Sequence, residues 1–475
     1  MSQHRFYMTA FRRLPLLGAA IVCSGFLSAC VDLAPAYRRP DAPVASNWPT
    51  GALVATAGER SASDTGWRDF IADDRLRRII DLAITNNRDL RIATLNVQQA
   101  RAQYRIQDAS SLPSVGGDAS LTRSGAAGRT SNSANVSLAL SGYEIDLFGR
   151  VKDANGAALQ AWLATVEGER SAHIALVTEV AVQWLALAAD AQTLRLNQSL
   201  LALDQHSLDL NRRMHELGAI KGLPVEQAQA AFEATRGAVA AGRTQVQLDR
   251  NALALLVGQQ IDDDLLPSQT FPAQAATLLG VPAGLPASVL QQRPDVLASE
   301  HSLQQAQLNI GVARAAYFPT ITLTGSAGTS STDLAGLFKS GSGSWSFGPS
   351  ISVPIFNRGG LDAGLEGANA SRDIALANYE KSLQSAFREV SDALAVRETL
   401  DERINAQKAQ TRASEAAFHD ADALFRNGSI SYLEVLSAQR GLYASQQAEI
   451  ALNLQEQDNR LALYKALGGG WKESN

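Results

Sequence analysis

Two very long stretches of the chain carry a helical pattern of apolar positions. Residues 150–217 and 361–425 are each about 65 residues long, which corresponds to roughly 100 Å of helix at 1.5 Å per residue. In the first stretch the apolar residues recur at spacings of three, four and seven: Trp162, Val166, Ile174, Val177, Ala181, Trp184, Ala188, Ala191 and Leu194. The pattern predicts helices that are far too long for a globular core and that pack closely side by side.

Four shorter segments show the period of two that is typical of strands. They are residues 115–124, 135–145, 320–329 and 344–355, and Gly/Ser/Thr-rich segments 125–133 and 330–343 are predicted as the loops between them. In the last segment, apolar residues alternate with glycine and serine: Trp345, Phe347, Ile351, Val353 and Ile355. Strands of about ten residues with weak amphipathicity are typical of outer-membrane barrels.

The same order of elements occurs twice, about 210 residues apart. The landmarks are Pro113 and Pro319, the segments 145–150 and 353–358, Gly218 and Gly428, and Gly258 and Gly468. Each copy contains a helix, a proline, two strands, a very long helix, a glycine turn and a final helix. We therefore divide the chain into an N-terminal segment 30–85, a first repeat 86–258, a linker 259–290, a second repeat 291–468 and a tail 469–475.

The shorter helices supply the length that each long helix needs from its neighbours. Residues 225–256 and 432–467 are about half as long as the long helices, and residues 86–109 and 294–316 provide roughly the missing length. We infer that each long helix packs beside two shorter helices stacked end to end. The N-terminal segment, the proline-rich linker and the C-terminal residues are predicted to form a small belt around this helical wall.

Four strands per chain cannot close a barrel, and open sheet edges are not tolerated in lipid. The chain must therefore oligomerise if its strands cross a membrane. Two copies would give eight strands and an interior filled by side chains, whereas three copies give twelve strands and leave room for a lumen. The predicted fold class is mainly α with a membrane β-barrel: a trimeric twelve-stranded barrel continued by a long α-helical barrel.

The N-terminus has the features of an export signal that ends before a lipidated cysteine. Residues 1–29 contain Arg5, Arg12 and Arg13, followed by an apolar stretch that is too short to span a bilayer. The sequence Leu-Ser-Ala-Cys at 27–30 resembles the bacterial lipobox, which predicts that Cys30 becomes the acylated mature N-terminus. The alternative is an ordinary signal peptide with Cys30 as a buried thiol.

Charge and composition exclude several classes of function. The chain has a net charge of −5, which argues against a nucleic-acid partner. Scattered histidines and the absence of a phosphate loop, nucleophile elbow or HExxH pattern argue against an enzyme, a metal site or a cofactor other than the lipid on Cys30. The body after residue 29 is predicted to contain no apolar run long enough for a transmembrane helix.

Five stretches that together span nearly the whole mature chain resemble the TolC-like outer membrane efflux family, and specifically its lipoprotein branch serving RND-type multidrug pumps. They are CVDLAPAYRRP at 30–40, YEIDLFGR at 143–150, QRPDVLA at 292–298, AAYFP at 315–319 and LYKALGGGW at 463–471. The resemblance implies a homotrimer in outer-membrane lipid whose periplasmic helical barrel docks onto adaptor proteins of an inner-membrane transporter.

Both helix pairs reverse direction at a glycine turn, and the resemblance gives these tips a role. Gly218 and Gly428 are predicted to supply left-handed helix caps. In the family the tips contact the adaptor and close the pore through a leucine, an acid four positions on and an arginine three further. The matching positions are Leu433, Ser437 and Arg440, so the acid is missing here. Glu434 either supplies the missing charge or is a solvated surface residue.

The sequence therefore predicts a passive exit duct in the bacterial outer membrane, lipid-anchored and extending into the periplasm, for drugs or other small solutes. Pump and adaptor supply the energy, and adaptor binding opens a closed tip. Two alternatives belong to the same class, namely the outlet of a type I protein-secretion system and that of a metal-efflux system. A lipid-anchored coiled-coil spacer is the alternative from another class, but a spacer has no need of the four strand segments.

Overall fold

The computed structural model describes residues 32–46, 48, 65–267 and 287–469. The predicted lipidation site Cys30, the signal segment 1–29 and most of the linker and tail lie outside the described residues. The helices and strands, numbered in chain order, are α1 Trp67–Phe70, α2 Asp74–Asn86, α3 Arg88–Ala109, β1 Val115–Ala126, β2 Arg129–Glu144, α4 Arg150–Glu216, α5 Gly222–Val257, α6 Pro294–Ala315, β3 Thr320–Ser331, β4 Gly343–Ser352, α7 Arg358–Arg426 and α8 Tyr432–Ala466.

The chain divides into two compact units that each draw on both repeats. Unit 1 contains the described residues up to Asp41 together with Val97–Thr165 and Ser299–Tyr379. Unit 2 contains Ala42–Asn96, Val166–Ala298 and Glu380–Asn475. All four strands therefore belong to unit 1, and both glycine turns belong to unit 2.

The two long helices confirm the prediction from the apolar pattern. Helix α4 has 67 residues and helix α7 has 69, with ends within three residues of those expected. The first short helix, expected at 86–109, begins at Arg88, because the side chain of Asn87 accepts a hydrogen bond of 2.8 Å from the backbone N–H of Leu90 and so caps the start of the helix. The mainly helical fold class with four strands is also confirmed.

One expectation about apolar runs is wrong. Helix α4 contains an 18-residue window with a mean hydropathy of 1.5, which satisfies the length and composition of a membrane span. Within the described chain 61% of this window is buried, since the apolar side chains face neighbouring helices. A buried packing helix passes the same test as a membrane span, so the window by itself is weak evidence for one.

Unit 1 is built around an antiparallel sheet in the order β1-β2-β3-β4. The segment 125–133 was expected as a loop, but most of it is strand. Ala126 pairs with Arg129, so Ala127 and Gly128 alone form the turn, and both have the positive φ that tight hairpins need. The last strand ends at Ser352 rather than 355, where it lies opposite Thr320, the first residue of its partner strand β3.

Unit 2 has an aromatic core where its N-terminal and C-terminal residues meet. The rings of Phe70 and Tyr464 stack at 3.9 Å, and the Tyr464 hydroxyl donates a hydrogen bond of 2.7 Å to the Thr65 carbonyl. The indole N–H of the fully buried Trp184 donates to the carbonyl of Leu265 in the linker. The described parts of the N-terminal segment and of the linker, two of the three segments predicted to form the belt, therefore pack on the helices of this unit, whereas a belt around the wall stays a prediction.

Positive φ angles recur at equivalent positions of the two repeats. Gly218 and Gly428 have φ of 74° and 72°, and Gly258 and Gly468 have 79° and 75°. Left-handed residues of this kind end helices, and glycine adopts the conformation without a steric penalty. The glycines that marked the repeat in the sequence thus mark equivalent helix ends in the structure.

Candidate functional site

The sheet separates apolar and polar side chains onto opposite faces. Its register places one set together on one face: Leu121, Val136, Leu138, Ile321, Leu323, Trp345, Phe347 and Ile351. The opposite face carries hydroxyl and amide groups: Ser120, Thr122, Asn135, Ser137, Thr322, Thr324, Ser326, Ser346 and Ser350. Apolar side chains such as Trp345 are largely exposed in the single chain, at 81%. One face therefore suits lipid and the other suits water.

The polar face carries few charges. In the strand register, Asp118 is level with Ser137 and is the one charged residue in the middle of this face among the described strands. Arg129 lies at the hairpin turn, and Glu144 at the other end is ion-paired with Arg150. Hydroxyl groups bond to each other or to backbone, as Ser326 does with Ser346 at 2.8 Å. The face is thus a nearly neutral, hydrogen-bonding surface.

Strands β1 and β4 each have a single neighbour in the sheet. Their outer edges leave backbone N–H and C=O groups unpaired within the chain. Such an edge cannot face hydrocarbon, because each unsatisfied group costs several kcal/mol there. Pairing with another strand is therefore required wherever this sheet meets lipid.

The two glycine turns of unit 2 have the same hydrogen-bond pattern. Ala219 donates to the carbonyl of Met214 and Gly218 to that of His215, at 2.8 and 2.9 Å. In the second turn, Gly428 and the residue after it donate in the same way to the carbonyls of residues 425 and 424, and both hydrogen bonds are 2.9 Å long. This is the Schellman arrangement that closes a helix at a left-handed glycine. The structure thus confirms that Gly218 and Gly428 are helix caps. Their contact with an adaptor stays a prediction.

The predicted gate residues share one face at the start of α8. Leu433, Ser437 and Arg440 are all exposed, as their spacing of four and three residues requires for one side of a helix. Leu433 is 56% exposed, and Leu223, the corresponding residue of the first repeat, is 67% exposed. The structure brings the three positions together on a surface that the chain itself leaves uncovered.

Glu434 has a local partner. One carboxylate oxygen accepts hydrogen bonds from the Ser431 hydroxyl at 3.1 Å and from its backbone N–H at 3.5 Å. This is the glutamate half of a capping box, which stabilises the first turn of α8. The carboxylate thus has a structural task at the helix start.

The opposite face of α8 packs on the neighbouring hairpin. Tyr432 and Leu436 belong to a buried apolar cluster with Leu208 of α4 and with Ala228 and Ala231 of α5. The clustered side chains hold the start of α8 against α4 and α5. Burial of one face therefore fixes which face of α8, the one with Leu433, remains outside.

A buried carboxylate lies one turn beyond this cluster and was not singled out from the sequence. Asp204 of α4 is 3% exposed. Its two oxygens accept hydrogen bonds of 2.7 Å from the Thr235 hydroxyl of α5 and from the Gln439 amide of α8. Three helices are thus joined at one acid, and no sequence signal marks it, since its partners are 31 and 235 positions away.

A cavity of about 250 Å³ opens beside this link. Asp204, Gln439 and Arg440 line it, and the small side chains of Ala234 and Ala238 on α5 leave the space. Further along α8, the hydroxyl of Tyr443 bonds to Asn197 at the same cavity.

The described N-terminal residues of unit 1 are bound to α6. The buried carboxylate of Glu300 accepts a hydrogen bond of 2.7 Å from the Tyr37 hydroxyl and a bidentate pair at 2.8 Å from Arg39. Burial, and then the hydrogen bond to Glu300, raise the pKa of Tyr37, while the bond to Glu300 raises the pKa of Arg39. This ion pair fixes the segment that follows the predicted lipidation site.

The chain also packs tightly just before this clamp. Arg314 and Gln307 of α6 donate to the backbone carbonyls of residues 33, 35 and 36, each at 3.1 Å. A Cβ at Gly311 would lie 2.0 Å from a carboxylate oxygen of Asp153 and 2.9 Å from Ala34. Glycine at 311 is therefore needed for this close approach.

Within the described residues, no group of three or more histidine, cysteine, aspartate or glutamate side chains is arranged to hold a metal ion. Near the start of α8, the carboxylates of Asp204 and Glu434 accept hydrogen bonds from side chains of the same chain.

Comparison with protein families gives one match that covers most of the chain. The family described as "Outer membrane efflux protein" matches residues 79–259 and 285–469. These two matched segments coincide closely with the two repeats.

Curated relatives match over nearly their whole length. The chain is 40% identical over 465 residues to a probable efflux pump outer membrane protein, TtgC, of Pseudomonas putida, with 96% of each chain covered. It is 38% identical over 449 residues to the cation efflux system protein CusC of Escherichia coli, covering 94% of this chain and 97% of that protein.

Solved structures have the same fold. The open state of the Neisseria gonorrhoeae MtrE outer membrane channel superimposes with a TM-score of 0.85 at 36% identity, covering 93% of this chain and 99% of that chain. A CusC crystal structure, described in connection with transmembrane channel formation, gives a TM-score of 0.84 at 38% identity and covers 92% and 100%.

Proposed function

Because the chain belongs to the outer membrane efflux protein family, we propose that it is the outer-membrane exit duct of a tripartite efflux pump. The observation that carries this function is the two-faced sheet with both edges open. An apolar face, a hydroxyl-lined face and unpaired edges fit a barrel wall between lipid and water. Family members are channels, and the duct has no catalytic step.

The functional unit is a homotrimer. Three four-stranded sheets, joined edge to edge through β1 and β4, form a twelve-stranded barrel with a lumen. The polar face of each sheet lines this lumen, so that a solute passes along hydroxyl groups and the ring formed by Asp118. Two copies would leave no passage, since side chains fill an eight-stranded barrel.

Solute flow through the duct is passive. An inner-membrane RND-type transporter and a periplasmic adaptor supply the energy, and the adaptor engages the tips at Gly218 and Gly428. Adaptor binding favours an open tip over a closed one and so shifts the population without any chemistry in the duct. The cargo consists of drugs or other small solutes, in keeping with relatives named for toluene, solvent and cation efflux.

Leu433 narrows the closed tip, with Ser437 and Arg440 on the same exposed helix face. Three copies of this face meet around the axis of the trimer. Ser437 carries no charge, so hydrophobic contact between leucines replaces a carboxylate ring. Glu434 acts as a helix cap rather than as a gate charge.

Planar-bilayer recording tests the duct and its gate together. The detergent-extracted protein, with its native mass measured on the same sample, is expected to be a trimer that gives discrete and mostly closed channels. The change Leu433→Ala is expected to increase leak conductance, because it removes apolar contact at the narrowest point, while the capping change Glu434→Gln serves as a neighbouring control. A non-conducting protein would favour the coiled-coil spacer instead, and unchanged conductance in Leu433→Ala would remove the gate from this position.

Cys30 carries the lipid anchor. The lipobox-like sequence before it supports acylation, and the clamp of Tyr37 and Arg39 on Glu300 begins only seven residues further on. The acyl chains and the barrel then hold the same protein in the outer membrane. No further cofactor is needed for passive flow.

A further inference from the structure

We propose that the apolar face of the sheet carries a binding site for lipid A, the phosphorylated and acylated lipid of the outer leaflet. One acyl chain lies in a hollow on strands β1 to β3, and a phosphate group binds Arg123 beyond the hollow. The proposal rests on the proposed function of the chain as a barrel-forming duct, because that function turns the apolar face towards lipid.

The site lies at the end of the sheet that is remote from the helices. Strand β1 follows α3 and strand β2 leads into α4, so the β1–β2 turn at residues 127–128 and the β3–β4 loop at 332–342 share the opposite end. We call this the outer end of the sheet. In a barrel whose helices extend into the periplasm, the outer end lies in the outer leaflet.

The β3–β4 loop folds onto the apolar face. Ser331 pairs with Ala134, and the register places both on the same face as Val136. The Ser331 hydroxyl accepts a hydrogen bond of 3.2 Å from the backbone N–H of Asp333 in the loop. Ala134 is buried, and so is Leu337 of the loop. The loop therefore covers the apolar face locally and forms a raised wall on it.

A hollow of about 460 Å³ lies beside this loop. The small residues Gly117, Ala119 and Ala327 share the apolar face with Leu138 and leave the space. The ring of Phe338 in the loop lines the same hollow and is 80% exposed in the single chain. Apolar side chains that surround an open hollow gain by contact with hydrocarbon, so an acyl chain is the occupant that fits.

A second copy of the chain does not cover this hollow in the proposed trimer. The neighbouring copies pair with the free edges of β1 and β4 and so extend the sheet sideways. The hollow lies on the face of β1, β2 and β3, at right angles to that pairing. It therefore stays open towards the membrane.

Arg123 lies on the same face, nearer the outer end. It pairs with Asn132, and it is two residues beyond Leu121, so strand alternation directs it towards the lipid side. Its backbone is four residues from Ala119, about 13 Å along the strand at ~3.3 Å per residue. Arg123 is exposed, and within the described residues its guanidinium has no ion-pair partner.

This position suits a headgroup phosphate. An arginine on the lipid face is costly at the middle of the bilayer but costs little near the interface. Its planar guanidinium binds phosphate with two parallel hydrogen bonds. Lys339, which follows Phe338 in the loop, is a second exposed cation, against one acid in the loop, Asp333. The outer end thus combines an apolar hollow with cations at headgroup level, as an anionic acyl lipid requires.

Native mass spectrometry of the full-length trimer with added lipid A tests the proposal. Wild-type trimer is expected to retain lipid A in preference to phosphatidylglycerol and phosphatidylcholine. The change Arg123→Gln is expected to weaken lipid A binding about fivefold, the effect of losing a partly exposed ion pair. The change Ala119→Phe fills the hollow and is expected to weaken binding on the order of tenfold, because about two methylene groups lose their burial.

Arg129→Gln is the matched control for charge. Arg129 lies in the same hairpin, but its pairing with Ala126 places it on the polar face. Its loss is expected to leave lipid A binding unchanged, whereas Arg123→Lys keeps the charge and should retain most of it. The trimer mass, read from the same spectra, shows that each variant has assembled.

The possible failures are distinguishable. If Arg123→Gln and Ala119→Phe retain lipid A as well as the wild type, the site is overturned although the trimer conducts in bilayers. If phosphatidylglycerol binds as tightly and with the same dependence on Arg123, lipid A is rejected as the occupant. If the wild type gives no conducting trimer, the duct function fails and the lipid site fails with it.

Discussion

At the scale of single residues, Asp153 combines deep burial with a lack of hydrogen-bond donors. It is 1% exposed, and both carboxylate oxygens lack a hydrogen-bond partner among the described residues. Burial, with a smaller effect of the nearby Asp32 carboxylate, raises its pKa from 3.8 to about 6. The folded chain therefore holds this proton over a pH range in which the unfolded chain has lost it.

Because the pKa of Asp153 is raised, replacing Asp153 with asparagine is predicted to stabilise the fold by an amount that depends on pH. Between about pH 4 and 6 the unfolded chain loses its proton first, so this group destabilises the fold increasingly as the pH rises, and fully above pH 6. Asp153→Asn is expected to raise the melting temperature at pH 8 and to raise it by a smaller amount at pH 4.5. Scanning calorimetry of the detergent-extracted protein measures both, with the exposed Asp108→Asn as control. An equal shift at the two pH values would contradict the assignment.

The residue scale also marks the limit of inference from the sequence. Glycines at 218 and 428 were recognisable, because a helix end at a repeated glycine is a local pattern. Asp204 was not, since an aspartate on a long helix looks like a surface residue until α5 and α8 bring Thr235 and Gln439 to it.

At the scale of elements, the sheet predicts opposite effects for two adjacent substitutions. Phe347 lies on the apolar face and Ser346 on the polar face of β4. Phe347→Arg is expected to impair membrane assembly, because an arginine facing lipid costs about 2 to 4 kcal/mol at the middle of the bilayer. Ser346→Arg is expected to assemble and to alter the ion selectivity of the channel.

Quantification of trimer in isolated outer membranes, together with reversal potentials for the assembled variant, tests this pair. Equal assembly of both variants would show that the apolar face does not meet lipid.

The elements themselves were largely predictable from the sequence, apart from the hairpin between β1 and β2. Long helices and alternating strands follow from periodicities of 3.6 and 2, which are local properties. The segment 125–133 was misread as a loop because serine, threonine and glycine are typical of loops and also of a strand face that meets water. Only pairing of Ala126 with Arg129 shows where the turn lies.

At the scale of the whole molecule, the proposed lipid anchor at Cys30 predicts that lipidation and trimer assembly can be separated. The change Cys30→Ser removes the thiol that would be acylated, so labelled palmitate is not expected to be incorporated. Trimer formation should persist after export with a non-lipoprotein signal, because the strands that pair and the helices that pack lie within residues 65–267 and 287–469. Mass spectrometry of the mature N-terminus and native mass measurement check the two parts. Label retained in Cys30→Ser would place the lipid elsewhere.

The sequence by itself determined the repeat, the long helices, the number of strands and, through the open edges of four strands, the need for several copies. These follow from local periodicity, glycine and proline chemistry, and the rule that backbone groups must be paired in lipid. The tertiary structure alone decided the face of α8 that holds Leu433, the buried bonds of Asp204 and the clamp of Arg39 on Glu300. Each of these joins residues distant in the chain, and their contacts depend on how the helices pack rather than on any pattern along the sequence.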